Sequence, residues 1–90
     1  MNSKKYFLLV ANHTNLFGGT EVLAQDQDLS KVCASARKNC QDWNAKGYAN
    51  FALVIRAAKT SRDSFATVDD IANANLSDTD SKLANNILNS

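Results

Sequence analysis

Proline is absent from this chain of 90 residues, and glycine occurs three times. No proline-rich or glycine-rich linker can therefore divide it, and residues 1–90 are expected to form a single domain. Gly18-Gly19 is the one glycine pair, and it lacks both the G-x-G-x-x-G spacing and the lysine of a phosphate loop. Two cysteines are too few for a disulfide framework. The single histidine, His13, adds only one ligand to Cys33 and Cys40. There is no C-x-x-C and no H-x-x-x-H, so neither a zinc site nor a Cys–His nucleophile is expected, and no cofactor is implied. The net charge of +1 creates no global field that would draw the protein to nucleic acid or an anionic membrane. The apolar run Tyr6–Ala11 is too short for a secretory h-region, and no stretch could span a bilayer. A cytoplasmic setting and no membrane partner are the expectations.

What the chain does contain is organised around one stretch, Asp28–Asn44. Leu29, Val32, Cys33, Ala36, Cys40 and Trp43 recur at helical spacing. At 3.6 residues per turn they share an arc of roughly 100°, the width of a core-facing stripe. Asp28 or Asp26 can cap the first turn, and Gly47 can end the helix in a left-handed conformation. Along such a helix Cys33 and Cys40 stand about 10 Å apart by rise, too far for a disulfide. They read as two buried thiols that fill space as small hydrophobes.

On either side of the helix the pattern changes to strands. Tyr6–Ala11 is apolar at every position, which suits a strand in the middle of a sheet. Thr20–Gln25 reads as a second strand with Val22 and Ala24 on one face. The hairpin loop between them carries Leu16 and Phe17, which either fold back as a lid or stand exposed for a partner. Tyr48–Ala58 reads as a third strand. Phe51, Leu53, Ile55 and Ala57 lie on one of its faces, and Tyr48, Ala52, Val54 and Arg56 on the other. A helix between strands two and three favours a crossover that makes them parallel with strand one between them, in the order 2-1-3. Phe65–Val68 is either a fourth strand hairpinned onto the third or the lead-in to a helix. Thr67 and Asp70 resemble a capping box, opening a short helix to about Asn75, and a last helix runs from Asp80 to about Asn89. These C-terminal helices are expected on the other sheet face, along an edge, or loosely docked as the terminus. The fold class is thus α+β: a ββαβ core over residues 4–58 with three or four strands, and a strand or helix extension over 65–90.

Charge is uneven along the chain. Residues 1–60 hold eight Lys/Arg and four Asp/Glu, a net of +4, and residues 61–90 hold two and five, a net of −3. Lys31, Arg37, Lys38 and Lys46 lie on or near the exposed flank of the central helix. The acidic pairs Asp69-Asp70 and Asp78-x-Asp80 have no EF-hand loop around them, and helix starts are acidic for dipole reasons alone.

Strand–strand–helix–strand in under a hundred residues, with a helix opening D-L-S-K-V-C-A-S-A and no catalytic group, resembles several small phage-encoded anti-CRISPR proteins. The resemblance covers about residues 4–58 and is one of layout. It implies a non-enzymatic inhibitor that blocks a host protein complex, which can be a nucleoprotein, by direct binding. Lys31, Arg37, Lys38 and Lys46, with Leu16 and Phe17 at the hairpin tip, are the candidate contacts. The alternative is a small nucleic-acid-binding or regulatory domain using the basic helix face or the C-terminal helix pair. In that pair Lys82, Asn85 and Asn86 suit DNA, and Asp78 and Asp80 oppose it. Oligomeric state stays open, because a three-stranded sheet has free edges.

Overall fold

Strand β1 (Lys5–His13) is buried on both of its faces, and the remaining elements are arranged by that fact. The computed structural model describes residues 5–13, 19–57 and 63–89. After β1 come β2 (Thr20–Asp26), helix α1 (Leu29–Ala45), β3 (Tyr48–Ala57), β4 (Asp63–Phe65), α2 (Val68–Asn73) and α3 (Asp78–Leu88). The sheet order is β2-β1-β3-β4, and every neighbouring pair is antiparallel. β2 and β3 therefore run parallel to one another across β1, as the helical crossover requires.

Side chains alternate across a strand, so Leu8 and Leu9 point to opposite faces of the sheet. Leu9 joins Leu53 and Ile55 beneath Leu29, Val32, Cys33 and Ala36 of α1. Ile71 of α2, Ala84 of α3 and Ala66 belong to the same cluster. All three helices thus cover one face. The C-terminal helices do not pack on the other sheet face, because α1 lies nearer β2 and β1 and leaves β3 for the apolar stripe of α3. That stripe is Leu83, Ala84, Ile87 and Leu88. On the opposite face Leu8 is wholly buried and Val54 nearly so, paired with one another across the ladder.

Two irregularities reset which side chains face the helices. In β2 the partners of Leu9 and Val10 are Ala24 and Val22, so Leu23 is an extra residue in the ladder. Ala24 packs against the core while Val22 turns to the opposite face, which separates two residues expected on the same side. In β3 the partners of Val10 and Asn12 are Ala52 and Ala49. The extra residue here falls at Asn50–Phe51, and Asn50 has φ 56°. Asparagine is among the few non-glycine residues that tolerate the left-handed region. The shift carries Tyr48 off the face it was expected to share with Ala52 and Val54. Its hydroxyl donates to Glu21, 2.6 Å away, and Glu21 is opposite Ala11 on the helix-bearing side.

The helix ends follow from local chemistry. Asp28 accepts from the Ser30 amide at 3.0 Å and opens α1. Gly47, at φ 94°, lets the chain leave it, and the Gly47 N–H donates to the Asn44 carbonyl. Thr67 and Asp70 form a complete capping box, with an aspartate where glutamate is usual. That box decides the fate of Phe65–Val68: β4 ends at Phe65, Ala66 enters the core, and Val68 begins α2. Ser77 caps α3, which starts at Asp78, two residues before the expected point.

Leu53 is almost fully buried in the main cluster, whereas Val22 is 45% exposed. Leu53→Ala should cost about 2–5 kcal/mol in chemical denaturation, and Val22→Ala should stay within about 0.5 kcal/mol of the parent. Equal losses at the two positions would contradict the placement of the core on the helix-bearing face.

Candidate binding surfaces

The outer side of α1 and the space between α1 and α3 hold most of the residues that could meet a ligand. Lys31 and Lys38, seven residues apart, project from the side of α1 away from the sheet, and Lys46 caps its C-terminal end. All three are exposed, and none forms an ion pair among the described residues. Arg37 parts from them. At about 100° per residue it lies roughly 100° from Lys38, on the flank turned toward α3. There its Nη1 is 3.2 Å from Oδ1 of Asp80. The four basic residues expected to form one surface are thus three solvated lysines and one arginine engaged in a tertiary contact. Leu16 and Phe17 lie outside the described residues.

Asp80 is the one buried charged residue among those described, 6% exposed in the first turn of α3. The sequence pattern placed it at a helix start for dipole reasons, and that position is favourable. What the pattern did not show is the inward turn of its side chain. Oδ1 accepts no aligned hydrogen bond, so its contact with Arg37 is chiefly coulombic. The Cys33 thiol donates weakly to the Asp80 carbonyl at 3.8 Å. Burial, then the neighbouring Asp80 charge, pushes the Cys33 thiol up to about 11, partly opposed by Arg37. This is an inert, protonated thiol at neutral pH.

From this contact the two helices run in the same general direction. Cys33 and Arg37 meet Asp80 near the start of α3, and farther along Cys40 and Trp43 face Leu83 and Ile87 across an open cleft. The cleft has a volume of about 360 Å³. Phe51 of β3 also lines it, with its ring 6.3 Å from that of Trp43. Asn44, Asn86 and Arg37 supply its polar lining, and Arg37 is the only charged residue among them. The cleft corrects one expectation directly. Cys40 is exposed rather than buried, because α3 does not close over the C-terminal half of α1. Helical spacing put Trp43 on the packing stripe correctly, but Cys40, at the same spacing, does not pack against the core, because spacing alone cannot say where the partner helix stops.

Two polar clusters lie elsewhere on the sheet. His13 packs edge-on against Tyr48 with ring centres 4.8 Å apart, beside the Tyr48–Glu21 hydrogen bond. That bond raises the Tyr48 hydroxyl above its ordinary value. Arg56 grips Asp63 through two hydrogen bonds of 2.7 and 2.9 Å, which hold the Asp63 carboxyl below its usual range and tie β4 to β3. Among the described residues, no three His, Cys, Asp or Glu side chains converge as a metal site would require. No helix among them is long and apolar enough to cross a membrane.

The Cys33 environment sets an alkaline limit on stability. The native state keeps a thiol proton that the unfolded chain releases above about 9.0. Its contribution is therefore intact below that pH and is lost as pH rises toward about 11. Denaturation at about pH 8 and about pH 10 should show a steeper loss in the parent than in Cys33→Ala. Identical pH slopes would contradict the buried-thiol assignment. No protein-family model, curated protein or solved structure matches this chain.

Proposed function

We propose that this chain acts as a non-catalytic binding protein whose α1 ridge, Lys31, Lys38 and Lys46, meets an acidic surface on a host protein complex. In its most concrete form it is a mobile-element inhibitor of the anti-CRISPR kind, which occupies such a complex and blocks it. The observation that carries this reading is the set of three exposed lysines on or capping one helix, none held by an ion pair among the described residues. An α-helix anchored on one side by Leu29, Val32, Cys33 and Ala36 presents its outer side chains on a rigid support. Each such charge adds little affinity alone, but together they steer encounter and fix orientation. Inhibition of this kind needs no reacting group, and the buried Cys33 thiol is poorly suited to be one.

The competing reading is contact with a nucleic-acid backbone through the same lysines. The inward-facing Asp80 supports the protein-binding reading over a DNA-reading use of the C-terminal pair. It docks the start of α3 against α1, where a recognition helix would present its first turn to a groove.

Capture from lysate of the host, analysed by mass spectrometry, should recover one defined protein complex with the parent chain and lose it with Lys31→Glu/Lys38→Glu. Recovery of the same complex by the charge-reversed chain would overturn the assignment to this ridge. A gel shift of DNA or RNA favours the competing reading if it weakens with salt at a slope near −0.9 per neutralised phosphate, about −3 for three lysines.

A further inference from the structure

Two asparagines distinguish the α1–α3 cleft from a plain apolar furrow. Elsewhere on the same helices an asparagine side chain is spent on its own backbone. The Asn39 amide donates to the Ser35 carbonyl at 3.0 Å, and the Asn85 amide to the Ser81 carbonyl at 2.9 Å. Asn44 and Asn86 differ. Both line the cleft, one on each helix, and both are exposed. Among the described residues no hydrogen bond engages either side-chain amide. Each therefore keeps two N–H donors and a carbonyl acceptor for a ligand. Most of the remaining lining is apolar. Trp43, Phe51, Leu83 and Ile87 all pack against the core as well, so the walls are braced before any ligand arrives. Arg37, the one charged lining residue, is matched by Asp80, so the cleft presents no unmatched charge.

We infer that the α1–α3 cleft binds an uncharged, planar nitrogen heterocycle of the purine kind, held against Trp43 and hydrogen-bonded along one edge by Asn44 or Asn86. Size permits it. An apolar cavity of about 150 Å³ holds a benzene molecule, and this cleft offers about 360 Å³, within the range of small-molecule sites. The apolar lining and the indole suit a flat ring, because any base can stack on an aromatic face. The amides select among flat rings. A hydrocarbon would strip water from Asn44 and Asn86 and return nothing. A purine carries donors and acceptors side by side, and a carboxamide meets adenine through one of each.

Neutrality sets the form of the ligand. With Arg37 matched by Asp80, the lining has no free cation for a phosphate, so a free base or nucleoside fits better than a nucleotide or a strand. The cleft lies on the flank of α1 turned toward α3. Lys31 and Lys38 project from another side, so the inference stands independently of the functional reading.

Titration of the full chain with adenosine should change the emission of Trp43, the sole tryptophan, along a saturable curve. In nitrogen–proton spectra the side-chain amide signals of Asn44 or Asn86 should move along the same curve, while that of Asn39 stays in place. Asn44→Ala/Asn86→Ala should weaken binding by about tenfold, with the circular dichroism spectrum unchanged because both residues are exposed. Indole, flat and bicyclic but with a donor and no ring-nitrogen acceptor, should bind more weakly than adenosine, and AMP no more tightly. Lys31→Glu/Lys38→Glu should bind adenosine as the parent does. The absence of any saturable response would overturn the inference, as would a double asparagine variant that binds like the parent. Indole binding as tightly as adenosine would reduce the cleft to a greasy surface without edge recognition. Tighter binding of AMP or of an oligoadenylate strand would contradict the assignment to an uncharged free ligand.

Discussion

The constraint on which the structure depends is the double burial of β1. A strand with Leu8 and Leu9 both out of water must have neighbours on both edges and cover on both faces. β2 and β3 meet the first requirement by pairing along its length. The helices meet the second on the Leu9 side. Fully burying a leucine is worth about 1.5–3 kcal/mol, and Leu8, Leu9, Leu29 and Leu53 are each essentially out of solvent. Those four residues are spread over β1, α1 and β3, so none of these three elements can leave without exposing part of the set.

The covered face is shared unequally, and this is where the open cleft arises. α1 is longer than the region of sheet and helix that buries it. Its first half is sealed by β1, β2 and the start of α3, and its second half borders the cleft. Arg37 marks the boundary. Its contact with Asp80 lets a carboxylate remain in the interior, since an unpaired buried charge would be costly. Beyond it Trp43 and Cys40 stand beside open space. Outward from the same helix, the lysines of the proposed contact ridge remain in water. One amphipathic helix thus supplies core, cleft and ridge from three different arcs.

How much of this could be read from the residues depended on the range of the interaction. Helical spacing located α1, and the continuous apolar run placed β1 in the middle of the sheet, because both signals are local periodicities tied to burial. Asp28, Thr67 and Gly47 marked helix ends through contacts spanning a few residues. The shifts at Leu23 and Asn50 left no such mark, since a bulge is defined by the partner strand as much as by its own sequence. Simple alternation therefore puts Val22 and Tyr48 on the wrong faces. The position of α3 is not legible in its own residues, because its apolar stripe fits either face of a sheet and only competition with α1 for space selects one. Proximity in sequence groups Arg37 with Lys31 and Lys38, although its flank of the helix turns toward a carboxylate that comes 43 positions later. The cleft depends on the same non-local fact.

The central claim is that residues 63–89 complete the core rather than extend it. Amide hydrogen exchange on the full chain tests this most directly. If α2 and α3 share the cluster of Leu9, Leu53 and Ile55, the slowest amides of α3 around Ala84 should open with nearly the same free energy as those of β1 around Leu9. Exchange of α3 at a free energy several kcal/mol below that of β1 would show that the C-terminal helices open independently, and would contradict the account.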